Sequence, residues 1–389
     1  LNKDHSDKVS GYEGTLTSVE QDVPVYTYYV ENGSNYDLYV LADSAIYTPK
    51  DSYRLFENMT ALKSVNTSNM DVSRTEDMSS MFVFCEALAE LDVSNWNVGK
   101  VTTMLSTFYG CSSLTDLDVS NWNVSNVESM NMTFVYCGNL KELNVSNWDV
   151  GKVTNMSCMF YGCSLLADLD VSNWNVSSVN NMQGVFYNCH ALNNLDVDSW
   201  DVSNVTNMNG LFKGCHTFTY LNFEDWDVSN VTTFENFLSS SNSYTGGMNL
   251  QSVDLSKWDT SSATSMAWMF YGCEWLTELD VSCLEVNNVT NMYHMFTDCF
   301  RLEKINFTGW ETSNLTNIDG MFNSCMALKT IDVSDFDTQK VTDMGQVFEY
   351  CGSLEEIIGL DKWDTSKVTT MSQMFNSYGG ENGNKLKVV

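Results

Sequence analysis

The chain has 389 residues, 43% of them hydrophobic, and its 50 acidic side chains against 19 basic ones give a net charge of −31. That balance argues against nucleic acid or an anionic membrane as the main partner, and it suits cations or basic surfaces. No apolar run reaches the ~20 residues a membrane span needs, and Leu1-Asn2-Lys3-Asp4 has no signal-peptide pattern, so export would require a leader outside this sequence.

Residues 1–51 hold both prolines, Pro24 and Pro49. Two strand-like runs, Val23 to Val30 and Tyr36 to Ala42, flank the turn-rich Glu31-Asn32-Gly33-Ser34-Asn35, which predicts a hairpin. Ahead of a repeat array such a β element reads as an N-terminal cap, with a separate module as the alternative.

From residue 52 one unit recurs. In the stretch Thr107 to Met130, the residues Phe108, Cys111, Leu114, Leu117, Val119, Trp122, Val124, Val127 and Met130 return at a fixed interval as Phe134, Cys137, Leu140, Leu143, Val145, Trp148, Val150, Val153 and Met156. A fixed period of about 26 residues predicts a solenoid whose units bury their apolar faces on one another. The column Phe56, Phe82, Phe108, Phe134, Phe160, Phe186, Phe212, Leu238, Phe270, Phe296, Phe322, Phe348, Phe375 marks about thirteen coils over 52–378, on the order of 60 Å at one strand spacing per coil.

Two periods share each coil. Leu117-Asp118-Val119 alternates as a short strand does, with the apolar pair inward. Met266, Met269 and Phe270 have the i, i+3, i+4 spacing of a short helix, for which Thr154 and Thr206 stand as N-caps and Gly110, Gly162, Gly214 and Gly272 as closing residues. The expected fold class is an α/β repeat solenoid, leucine-rich-repeat-like, with short parallel strands on one face and short helices on the other. An insertion at 239–248 breaks one coil, and insertions of this kind map to a loop on one face. Residues 379–389 read as a tail without a recognisable polar cap, which suggests that the natural chain continues.

Ten of the twelve cysteines form one column, Cys85 to Cys351, and read as free thiols filling the core. The other two, Cys158 and Cys283, lie in different columns and cannot pair with each other.

Two outward acidic columns mark the strand face. One contains Asp92, Asp118, Asp170 and Asp196 with asparagine at intervals, and the other contains Glu90, Asp116 and Asp168. Stacked carboxylates repel, which raises their pKa values or recruits cations. The column therefore reads as a solvated face, a calcium-binding array or a dock for a basic partner. A second candidate is aromatic: Trp268 and Trp275 depart from the repeat beside the insertion and its Tyr244, and Tyr271 lies three residues from Trp268 on the outer side, the group either packing under the loop or offering a binding patch. His190 and His216 should be neighbours but have no clear third metal ligand.

The unit M-F-x-x-C-x-x-L-x-x-L-D-V-S-x-W-x-V-S-x-V-T-x-M resembles the repeat of BspA-like leucine-rich-repeat surface proteins across 52–378. It departs from the general leucine-rich consensus by placing Trp122 where asparagine is usual, so an asparagine ladder does not follow. The resemblance implies a secreted or wall-attached bacterial protein, often an adhesin. The residues themselves offer no nucleophile elbow, phosphate loop or HExxH, and the carboxylate pairs repeat by translation instead of occupying the two different environments catalysis needs. The expectation is a non-enzymatic surface for host glycoprotein, mucin or matrix protein, with no cofactor beyond a conceivable calcium ion. A structural spacer is the alternative, and a flat ice- or crystal-binding array a remote third.

Overall fold

The computed structural model describes residues 14–16, 25–32, 35–42, 45–240, 247–377 and 387–388. Near the N-terminus β1 (Gly14–Leu16), β2 (Val25–Asn32) and β3 (Asn35–Ala42) form an antiparallel sheet in the order β1-β2-β3. In it β2 and β3 pair in register from Val25↔Ala42 to Asn32↔Asn35, the hairpin that the turn-rich link implies.

Parallel pairing then takes over. Ser64–Val65 pairs with Glu90–Leu91, Glu278–Asp280 with Lys304–Asn306, and Thr330–Asp332 with Glu356–Ile358, each partner 26 residues on. A second ladder of single parallel bridges climbs from Asp51 through Asp77, Thr103 and Ser129 to Thr370. The core between these ladders is built of columns of identical residues. Phe82, Phe108, Phe134 and Phe160 stack with centroids 5.5–5.6 Å apart, and Trp96, Trp122, Trp148 and Trp174 at 6.2–6.4 Å. All these rings are buried.

Polar atoms of the core columns are used between coils, the Trp96 indole N–H excepted. The indole N–H of Trp122 donates to the Val93 carbonyl at 3.1 Å and that of Trp148 to Val119 at 3.2 Å. Each ladder thiol donates likewise to the coil before it, as Cys111 does to Phe82 at 3.2 Å. The ladder cysteines are free and buried, and burial pushes Cys85 up to about 11. Cys283 has a related job. Its coil has Leu284 in the tryptophan column, and the Cys283 thiol donates to the Leu255 carbonyl in place of the missing indole.

The helical face predicted from Met266, Met269 and Phe270 is not formed. Among the described residues the one helical element is a single 3-10 turn, Leu360–Lys362. The stretch after Met78 is a run of overlapping turns instead: Met81 N–H donates to Met78, Val83 to Ser80 and Cys85 to Phe82, while the intervening N–H groups of Ser80, Phe82 and Phe84 donate to Leu105, Thr107 and Tyr109 of the next coil. Half the donors are thus spent between coils, and an α-helix would have to withdraw them. Two left-handed residues per coil, such as Ser80 at φ 57° and Phe84 at φ 56°, make the same point. Both backbones bring i, i+3 and i+4 inward, so the spacing could not distinguish them. Thr154 and Thr206 are not helix caps either; their hydroxyls donate to Glu128 and Asn180 of the preceding coil.

Candidate interaction surfaces

The strand-face acids point outward. Asp92, Asp118, Asp170 and Asp196, and in the second column Glu90, Asp116 and Asp168, are all exposed. Their chemistry differs from simple stacked charge. Asp92 Oδ1 accepts the Ser94 backbone N–H at 3.1 Å and its hydroxyl at 2.6 Å, and Asp118 accepts both from Ser120 at the same distances. Asp170 does so with Ser172, while Asp196 accepts the Asp198 N–H at 3.2 Å. These are Asx turns, in which a short side chain closes the backbone locally. The hydroxyl and amide donors hold Asp92, Asp118 and Asp170 below the usual carboxylate range. The expectation of raised values is therefore corrected: repulsion from Asp92 is the smallest influence on Asp118, because the pairs face water and donors sit closer than the like charge.

The structure engages Trp268, Tyr271 and Trp275 each with a neighbouring coil. Trp268 is half-buried and left-handed, at φ 55°, and sets its ring edge-to-face on Tyr293 with centroids 4.7 Å apart. The Tyr271 hydroxyl donates to Asp298. Trp275 is 40% exposed and stacks under the Arg301 guanidinium, 3.7 Å from the ring centroid. Tyr244 lies outside the described residues. Around these rings the surface is acidic: burial raises Glu274 and Asp298, and Asp319 is pushed up to about 6 by burial and by Asp343 and Glu349. His294 sits in the same region, its Nδ1 2.7 Å from the Thr297 hydroxyl and its Nε2 3.8 Å from Asp319.

A second aromatic band was missed in the sequence. On the turn face of the N-terminal half, Phe84, Tyr109, Tyr136, Tyr161 and Tyr187 touch in succession, with centroids 5.1, 6.0, 5.3 and 4.4 Å apart. Phe84 and Tyr136 are 40% and 47% exposed. Their rings rest on glycines of the following coils. A Cβ on Gly110 would lie 2.8 Å from the Phe84 ring, and one on Gly162 would lie 2.6 Å from Tyr136. The legible signal was the alternation Phe84, Gly110, Tyr136, Gly162 down one left-handed column.

His190 and His216 do stack, at 4.9 Å, with His190 Nδ1 2.8 Å from the Gly214 carbonyl. Among the described residues no group of three or more His, Cys, Asp or Glu side chains is placed to hold a metal ion.

Set beside known proteins, the repeats match one family model, described as a Mycoplasma protein of unknown function, DUF285, at residues 50–164, 131–250, 241–359 and 325–384. A comparison with curated proteins found no match. Among solved structures the chain is similar to one from the Toll–Spatzle complex of Drosophila, at 11% identity and a TM-score of 0.28, over 92% of this chain and 55% of that one. It is also similar to a leucine-rich-repeat protein of Leptospira interrogans, at 12% identity and a TM-score of 0.20, over 71% of this chain and 88% of that one.

Proposed function

This chain belongs to the DUF285 family, and from its own surface we propose that it is a non-enzymatic adhesin, a BspA-like, leucine-rich-repeat-like solenoid of about thirteen coils. Its place would be the bacterial cell surface or wall, and its ligands host glycoprotein, mucin or extracellular matrix. The observation that carries this reading is a division of labour within each coil. The inward columns keep the same phenylalanine, tryptophan and cysteine along the axis, while the outward positions of the turn face change from neutral and aromatic to acidic. A scaffold that repeats inside and varies outside is built to present side chains. The strand-face aspartates Asp92, Asp118, Asp170 and Asp196 spend one oxygen on local turns, which leaves them a solvated face able to meet a basic partner more readily than a calcium cage.

The test is binding of the purified chain to immobilised mucin, fibronectin and collagen, read by interferometry. Saturable binding to one of them is expected. No binding to any would move the reading to a structural spacer, which a bridge ladder running from Asp51 to Thr370 would suit.

A further inference from the structure

We propose that the band Phe84–Tyr109–Tyr136–Tyr161–Tyr187 binds a linear, uncharged, hydroxyl-rich glycan laid along the solenoid axis. The proposal rests on the adhesin reading and gives it a ligand class and a place.

Charge is the first argument. The segment 79–87 and its equivalents 105–113, 131–139, 157–165, 183–191 and 209–217 contain one acidic residue, Glu86, and one basic residue, Lys213, in a chain of net charge −31. A sulfated or sialylated polymer finds no cluster of cations there, and a basic protein finds no carboxylates. Neutral sugar rings, whose C–H faces stack on aromatic rings and whose hydroxyls pair with hydroxyls and amides, meet neither obstacle. Ser106, Asn131 and Asn139 lie in the same segments and none of them is buried, although the Asn131 amide oxygen already accepts from Ser129 and the Asn139 amide already donates to Ser112.

Geometry is the second. The rings advance one coil at a time along the axis, so the band is a linear track. It is also preformed. Edge-to-face contacts at interplanar angles of 80–89° lock Phe84, Tyr109, Tyr136 and Tyr161 together, and the glycine seats hold Phe84 and Tyr136 from beneath. Lys213 caps the far end, its ammonium 5.3 Å from the Tyr187 ring centroid. Rings already held in place lose little freedom on binding, which favours a ligand whose individual contacts are weak.

The experiment uses the full chain and three neutral oligosaccharide ladders, of cello-, chito- and N-acetyllactosamine type, measured by calorimetry. Affinity for one ladder should rise with oligomer length. The exposed-ring variant Phe84→Ala/Tyr136→Ala should lower it by about tenfold, and Tyr136→Phe should retain it. Raising salt from about 50 to 500 mM should leave it unchanged, since no charge is involved. Absence of binding to every ladder, or binding that the double variant keeps, overturns the proposal. So does equal binding of a glycoprotein before and after enzymatic deglycosylation, which would assign the band to a protein surface, or a dimer lost in the double variant, which would assign it to a second copy of this chain. If mucin or matrix binding persists while the oligosaccharides fail, the adhesin reading stands and the band proposal falls.

Discussion

The two halves of the turn face share one core and one backbone and have opposite surfaces. In residues 79–87 and their equivalents through 209–217 the outward side chains are mainly rings, hydroxyls and amides, with Glu86 and Lys213 as the charged exceptions. From Glu235 to Ser353 the same columns carry the half-buried Glu235, Glu274, Asp298 and Asp319, and the buried Glu349, against the single basic residue Arg301. Their rings differ accordingly. Tyr109 and Tyr136 pack on the rings of adjacent coils, whereas Trp275 sits under a guanidinium and Tyr271 donates to a carboxylate. The difference teaches that the repeat fixes where an outward side chain stands and leaves its chemistry open, so one solenoid can carry two unlike surfaces.

The comparison requires that the core be equivalent in both halves. Trp148→Ala in the first half and Trp310→Ala in the second each remove a buried indole and its hydrogen bond, to Val119 and Val281 respectively. Each should cost about 3–5 kcal/mol in denaturant unfolding. A negligible loss at one site would mean that the halves are held together differently.

Gly162→Ala probes the seat beneath the neutral band. The residue has φ +73°, and its new methyl group would meet the Tyr136 ring. A loss of about 1–3 kcal/mol is expected, together with displacement of Tyr136 that weakens glycan binding. Gly352 has open space around a would-be Cβ, so Gly352→Ala is the control and should leave stability unchanged.

Acidity separates the acidic turn face of the second half from the strand face, where Asp92, Asp280 and Asp332 are alike lowered. The folded Asp319 carboxyl, at about 6, holds its proton more tightly than an unfolded aspartate near ~4 does. Between those values the folded state gains relative stability as pH falls and loses it as pH rises. Asp92 behaves oppositely: its lowered value contributes stability above the unfolded pKa, and that is lost on acidification below it. Melting of Asp319→Asn should therefore exceed the parent by more at pH 7 than at pH 5, and a gap independent of pH would refute the assignment. The smallest effect belongs to calcium. With aspartate oxygens committed to Asx turns, millimolar calcium and chelator should give the same melting midpoint, and a clear rise with calcium would restore the cation-binding reading.

Much of this was legible in the sequence, because the period holds through most coils and each inward column is dominated by one residue type. The columns of Phe108, Trp122 and Cys111 and their burial followed from spacing alone. The turn backbone did not, since i, i+3, i+4 describes both a helix and overlapping turns, and the left-handed column is filled mostly by non-glycine residues such as Ser80, Cys158 and Trp268. The lowered carboxylates were also hidden, although Asp-x-Ser at Asp92, Asp118 and Asp170 spells an Asx turn that a column-wise view of charge overlooks. The neutral band was overlooked for a related reason: Phe84 and Tyr136 alternate with glycine along one column and Tyr109 and Tyr161 with valine along the next, and only the alternation read down each column gives it away.

Hydroxyl-radical footprinting of the chain with and without a bound neutral oligosaccharide tests the central claim most directly, because it reads the same exposed ring and sulfur side chains that distinguish the halves. The account predicts protection of Phe84, Met132 and Tyr136, with Trp275 and Met326 as reactive as in the free chain. Protection confined to Trp275 and Met326, with the first three unchanged, would contradict it.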